Sequence, residues 1–340
     1  MVFRIGLIGK GKVGTCFLQL LKEKKKIIRD NFNIECIITA VFERDGALIN
    51  CDGLNIDEVL NNYPNLKESD YWKPNIKATD SVSELDLDLC IEVTPTNPLN
   101  GEPALTHIIK ALSNGIDVIS SNKAPFYLEY NKIIKLAQQK KCIVRYEATV
   151  GSCIPALSIK ENLLGTTILT IYAILNGTNN FILSRMTAEG IPFATALKEA
   201  QELGYAETDP SLDINGYDTA GKIVILANDL LDRAYSIKDV KIEGISKITP
   251  QAIELAKLDG YVIKHLAILE GDDVIVEPRM IKKDSILNVN GTLNVIELNT
   301  KYAGSIYLIG NGAGGFEAAS AILNDLIYII KERKKIEKVC

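Results

Sequence analysis

The chain has 340 residues, 47% apolar and 24% charged, enough to bury a core in one large or two ordinary domains. Its 43 acids against 38 bases give a net charge of −5, which excludes a nucleic-acid footprint. No stretch reaches the ~18 continuous apolar residues of a membrane span, and glycines interrupt the apolar opening residues, so no signal peptide is indicated and a cytoplasmic location is expected.

Residues 2–8 form a short apolar run and predict a buried parallel strand. Gly9-Lys10-Gly11-Lys12-Val13-Gly14 follows, and Val13, Phe17, Leu18, Leu20 and Leu21 then recur at helical spacing. Strand, GxGxxG, helix is the context that a dinucleotide fingerprint requires. The first glycine makes the tight turn, the second lets the backbone approach the pyrophosphate, and the third lets helix and strand pack closely. Free N–H groups at the helix start face the phosphates. Gly9, Gly11, Lys12, Val13 and Gly14 are therefore candidate cofactor ligands. Lys22 to Lys26, interrupted by Glu23, read as the solvated end of that helix.

A strand at 36–42 ends in Glu43 and Arg44. The acid suits the ribose 2′-OH of NAD and the arginine suits the 2′-phosphate of NADP, so both cofactors stay open, with a lean toward NADP. A strand at 87–93 runs into Thr94, and a helix at 102–113 and a strand at 117–119 lead to Lys123. Ligands of an open α/β sheet bind at the carboxyl ends of its strands, which points Thr94 and Lys123 toward a cofactor edge. A helix at 128–139 and a strand at 142–146 complete a dinucleotide-binding domain over residues 1–146.

Residues 147–312 predict an α+β domain with a mixed sheet. It has a helix at 155–163, a strand at 166–175, and a further helix capped by the stretch 176–180. Helices near 192–203 and 213–231 follow, then strands near 261–270, 273–281, 293–299 and 305–309. The glycine-rich stretch 310–315 leads into a helix at 314–334, expected to pack back on the first domain.

Seven cysteines (16, 36, 51, 90, 142, 153 and 340) contain no CxxC pair, so neither a zinc site nor a disulfide framework is suggested. The two histidines, His107 and His265, lie in apolar-periodic stretches and read as packing residues. Chemistry falls to Lys, Asp, Glu or a cofactor. Residues 200–222, AQELGYAETDPSLDINGYDTAGK, gather five acids and close on Lys222. Asp218 and Lys222 are four apart and share a helix face. An exposed pair of this kind contributes only ~0.3–0.5 kcal/mol, but Ile223, Val224, Ile225, Leu226 and Ala227 follow at once and mark a buried helix end. A carboxylate beside a buried lysine sustains the lysine's charge, an arrangement suited to a proton donor. Asp209, before Pro210, reads as a turn residue, and Asp213 as the N-cap of the next helix.

KGKVG, EVTPTN, SSNKAP, YEATVGS, ILNGTNNFILSRM, AQELGYAETDP, DINGYDTAGK and GNGAG occur in this order over nearly the whole chain. In this the chain resembles the homoserine dehydrogenases. The resemblance implies a Rossmann domain, a catalytic domain with a mixed sheet, a homodimer, and NAD(P)-dependent interconversion of L-homoserine and L-aspartate 4-semialdehyde in threonine and methionine biosynthesis. By the same resemblance Lys222 exchanges the proton, Asp218 orients it or binds substrate, Glu207 binds the substrate ammonium, and Lys123 serves substrate or a relay. Gly314 joins the cofactor set. Glu147 and the carbonyls of Val150, Ser152 and Ile154 would hold a structural sodium ion. The chain ends about 25 residues after GNGAG, which implies neither a C-terminal regulatory domain nor an aspartokinase. Ala318, Cys153 and Leu212 depart from the family pattern and bear on packing near the ligand. Two alternatives are a Rossmann oxidoreductase for a related amino acid or semialdehyde, and a dinucleotide sensor without chemistry. The first needs no D-x-N-G-x-D-x-x-x-K helix; the second predicts erosion of Lys123, Glu207, Asp218 and Lys222, all of which are present.

Overall fold

The structure, a computed structural model, describes residues 2–62 and 65–337; Cys340 lies outside them. The chain divides into two compact units, residues 1–149 with 314–340, and residues 150–313. No helix among the described residues is long and apolar enough to cross a membrane.

The first unit opens with β1 (Val2–Ile8), α1 (Lys12–Phe32) and β2 (Glu35–Glu43). Next come β3 (Gly46–Ile49), α2 (Ile56–Asn61), β4 (Trp72–Pro74) and α3 (Ala78–Ser81). The unit continues with β5 (Leu89–Glu92), α4 (Ala104–Ser113), β6 (Asp117–Ser120), α5 (Ala124–Leu128), α6 (Tyr130–Lys140) and β7 (Val144–Arg145). The strands form one sheet in the order β4-β3-β2-β1-β5-β6-β7. β2, β1, β5, β6 and β7 are parallel, as in a Rossmann sheet. The sequence reading missed β3 and β4, which extend the sheet antiparallel beyond β2. Their run of four residues and their run of three are too short to show a period. β1 is nearly apolar throughout because helices cover both faces of such a sheet.

The second unit contains β8 (Ile168–Ile174), α7 (Gly177–Glu189), α8 (Phe193–Glu202), α9 (Ser211–Ile214) and α10 (Tyr217–Leu230). β9 (Val240–Ile242), α11 (Pro250–Leu258), β10 (Tyr261–Glu270), β11 (Asp273–Lys282), β12 (Leu293–Thr300) and β13 (Gly304–Asn311) follow. The six strands form a sheet in the order β13-β12-β8-β10-β11-β9. Only β11 and β9 run parallel, so the sheet is mixed. The expected helix at 155–163 is a 3₁₀ turn over Ser158–Asn162; none of its five residues is buried, so no packed face sustains a longer helix.

The last helix, α12 (Gly315–Glu337), returns to the first unit and packs along α1. Ala319, Ile322, Leu326, Ile329 and Ile330 recur at helical spacing and are buried with Phe17, Leu18 and Leu21. Two buried carboxylates pin the helix. Asp325 accepts from Arg145 Nε and from the Glu147 amide, each at 3.0 Å. Asp117 accepts both ends of the Arg333 fork and the Ile143 amide at 2.8 Å.

Candidate active site

The glycine loop divides its labour among three positions. Gly9 holds φ +94°, and its amide donates to Phe42 O at 2.9 Å. A side chain is disfavoured there, and a β-carbon would press on Val93 O at 3.1 Å. A β-carbon on Gly14 would overlap the Gly9 carbonyl oxygen, so α1 can start this close to the strand only with glycine there. Gly11 differs: a β-carbon on it meets nothing within 4 Å. Its open space lies at the N-cap of α1, where unpaired N–H groups attract a phosphate. The cradle fits a dinucleotide pyrophosphate.

Around this cradle Lys12 is exposed and Val13 half-buried at the first turn of α1. Gly314, at φ +141°, precedes α12. A β-carbon on Gly315 would come within 2.9 Å of Lys12 Cγ, so this second glycine turn lies against the first. Lys10 is fully buried; burial pushes its ammonium down to about 8 while the Glu43 carboxylate opposes the shift. Arg44 is exposed in the turn between β2 and β3.

At the carboxyl ends of β5 and β6, the buried Glu92 organises the loop that bears Thr94. Its Oε1 accepts both the Thr94 amide, at 3.1 Å, and the Thr94 hydroxyl. Ser120 Oγ donates to the other oxygen at 3.4 Å. Asn122 Nδ2 donates to Thr94 O at 3.1 Å and Pro95 O at 3.3 Å. Lys123, half-buried, follows Asn122 at the start of α5. Thr94 and Lys123 therefore lie on one edge of the first unit's sheet.

In the second unit Lys222 is 8% exposed. Its Nζ stands 2.8 Å from Asp218 Oδ2 and donates to Leu175 O at 2.6 Å. The helix bearing the pair is buried from Thr219 to Asn228, with Ile223 to Ala227 wholly inaccessible. Asp213 is not an N-cap: it lies within the short α9, and Gly216, at φ +89°, caps α10. The Gly216 turn intervenes because His265 and Ile242 crowd that position and leave no room for a β-carbon. Asp213 instead accepts from Asn176 Nδ2 at 2.7 Å. The Ser211 hydroxyl and, second to it, the Ser211 amide, which donates to Asp209 at 3.1 Å, hold the Asp209 carboxyl below the ordinary range. Glu207 is exposed in the loop between α8 and α9; its backbone carbonyl accepts from Gln201 Nε2 at 3.2 Å.

Of the residues expected around a cation, Glu147 is buried in the first unit. Val150, Ser152 and Ile154 belong to the second, where Gly151 and Ser152 both adopt positive φ. Among the described residues no three His, Cys, Asp or Glu gather as a metal site.

Both histidines are buried. His265 Nδ1 accepts from Asn179 Nδ2 at 3.0 Å and its Nε2–H donates to Glu243 O at 2.9 Å, so the ring is a neutral bracket, pushed down to about 4 by burial. Sequence reasoning missed Glu92 and Lys264. The Lys264 ammonium is caged by Asn180 Oδ1 (3.0 Å), Val289 O (2.5 Å) and Asn290 Oδ1 (3.1 Å), and burial lowers it to about 8. A charge inside an apolar strand was the available signal at both positions.

The chain resembles proteins of known class. A family model described as homoserine dehydrogenase matches residues 154–327, and one described as homoserine dehydrogenase, NAD binding domain, matches residues 9–147. A homoserine dehydrogenase of Methanocaldococcus jannaschii is 44% identical over 97% of this chain and 99% of its own. The crystal structure of a protein described as a putative homoserine dehydrogenase, from Archaeoglobus fulgidus, superposes with a TM-score of 0.89 at 36% identity, over 96% of this chain and 99% of that one. A hyperthermophilic archaeal homoserine dehydrogenase in complex with NADPH superposes with a TM-score of 0.85 at 26% identity, over 98% of each chain.

Proposed function

The chain belongs to the homoserine dehydrogenase family, and from that premise we propose that Lys222, held by Asp218 and Leu175, is the residue that moves the proton. The reaction is the NAD(P)-dependent interconversion of L-homoserine and L-aspartate 4-semialdehyde in threonine and methionine biosynthesis. Oxidation removes a hydride from the alcohol carbon and a proton from its oxygen. The nicotinamide cofactor, when bound, supplies or takes the hydride; the protein must handle the proton.

The carrying observation is the bonding of Lys222. Two of its three ammonium protons have acceptors among the described residues, Leu175 O and Asp218 Oδ2. The third is left for a substrate oxygen. Lys222 gives this proton to the aldehyde oxygen in reduction and takes it from the alcohol in oxidation. Asp218 keeps the nitrogen in one position through both steps. Glu207 reads the substrate ammonium from its exposed loop, and Lys123 the substrate. Gly9, Gly11, Val13, Gly14 and Gly314 hold the dinucleotide, with Lys12, Arg44 and Thr94 at its flanks. Homoserine-dependent reduction of NAD and NADP by wild type and Lys222→Ala, measured side by side, tests the assignment.

A homodimer is part of the same proposal. Helices α7, α10 and α11 cover one face of the six-stranded sheet. The other carries a cluster of Ile174, Leu266, Ile268 and Val295 buried together with Leu287 and Val289, and an open groove of about 490 Å³ lined by Tyr172, Met280 and Glu297 among others. Met280 is 52% exposed. A second copy would cover this face, and sedimentation of the protein as a monomer would exclude it. Action in the cytoplasm completes the proposal.

A further inference from the structure

We propose that Asn176 is a positioning residue for the proton-transfer pair, acting through Asp218, with Asp213 as the second anchor of its amide. The inference rests on the reading that Lys222 moves the proton. Asn176 is 5% exposed and lies at the junction of β8 and α7. Its Oδ1 accepts the Asn179 amide at 2.9 Å, which caps α7. That bond decides which way the amide faces. The carboxylates opposite are acceptors, so only the NH₂ end can meet them. Nδ2 donates to Asp213 Oδ1 at 2.7 Å and to Asp218 Oδ2 at 3.0 Å.

The oxygen of Asp218 that receives Asn176 is the one that stands 2.8 Å from Lys222. The residue before Asn176, Leu175, accepts Lys222 through its carbonyl. Two consecutive residues at the end of β8 therefore grip both members of the pair on α10, one by main chain and one by side chain. Asn176 also draws two carboxylates, from α9 and α10, onto a single nitrogen. Like charges this close repel unless a donor sits between them. The clamp is braced from behind: Asn179 Nδ2 donates to Asp213 O at 2.7 Å and to His265. The capping role was legible in the sequence; the bridge was not, because the bridged acids lie 37 and 42 residues away.

Asn176→Ser keeps a good N-cap and removes the amide that spans the two acids. Its turnover should fall about ten- to a hundredfold, the scale of a misplaced catalytic group, with the homoserine KM changed much less and the cofactor Kd unchanged. The melting temperature should stay near wild type. Asn176→Asp also caps, but adds a third carboxylate, and should be slower than Asn176→Ser. If Asn176 acts through Asp218, Asn176→Ser combined with Asp218→Asn should be no slower than Asp218→Asn alone. Near-normal turnover by both Asn176 variants, or losses that multiply in the double variant, overturns the inference. Lys222→Ala is measured beside them. If it is inactive while the Asn176 variants are normal, this inference alone fails; if it is itself normal, the premise fails and both readings fall.

Discussion

The carboxylate of Glu43, at the end of β2, accepts the Lys10 amide of the glycine loop at 2.7 Å. The acid that a ribose 2′-OH would use is thus already turned into the loop. On the proposed reading its negative charge opposes a 2′-phosphate, while the neighbouring Arg44 is exposed. Glu43→Gln keeps an acceptor for the amide and removes the charge, so NADP should gain relative to NAD. Arg44→Ser should weaken NADP and leave NAD almost unchanged, because a guanidinium grips a phosphate bidentately. Titration of both variants with both cofactors checks this. Equal responses to the two cofactors would place discrimination elsewhere.

Gly11 and Gly14 should separate binding from folding. Gly11→Val enters open space and should leave the melting temperature within a few degrees of wild type while weakening cofactor binding strongly. Gly14→Ala forces a methyl group into the Gly9 carbonyl and should lower the melting temperature even without cofactor. Thermal melts with and without NADP decide; a Gly11→Val variant that melts well below wild type without cofactor would refute the division.

Lys222→Ala should lower kcat by ~10²–10⁴, the usual loss for a positioned acid or base, with cofactor affinity little altered. Stopped-flow turnover and cofactor fluorescence titration give the two numbers. Lys222→Arg should rescue little, because a planar fork cannot occupy the place of a compact ammonium between Leu175 O and Asp218.

Glu207 is exposed, so its charge acts through water. Glu207→Gln should raise the homoserine KM only a few-fold, roughly two- to fivefold, with the cofactor KM unchanged. The effect should shrink as salt is raised toward 1 M. A loss that ignores salt would mean that the loop closes over the substrate and buries the acid.

His265 links stability to pH. Burial lowers it from 6.5 to about 4, so between those values the unfolded chain holds a proton that the folded chain does not. Stability from this group is complete above pH 6.5 and is lost as pH falls toward 4, by about 3 kcal/mol at most. His265→Gln retains a donor and cannot titrate. The difference in urea unfolding free energy between wild type and this variant should therefore change with pH across that window and be flat above it. A constant difference would contradict the assignment.

The order of elements was legible in the sequence because it depends on local pattern. The apolar run of β1, the glycine spacing that follows it, and the helical recurrence of Phe17, Leu18 and Leu21 each operate within a few residues. The Asp218–Lys222 pair was legible for the same reason, since one helical turn separates its members. Composition also marked that helix as buried. Other features needed distant partners. The hairpin of β3 with β2 carries no period over four residues and exists because β2 offers an edge. Asp213 was read as a cap because nothing nearby in sequence reveals that Gly216 must turn beneath His265. Its actual donor, Asn176, and the Leu175 carbonyl that holds Lys222 come from a strand end 37 and 47 residues earlier. Local pattern can tell which residues share a helix face; only the meeting of the β8–α7 junction with α10 decides which polar groups pair, because a buried donor must find its acceptor wherever the chain brings one.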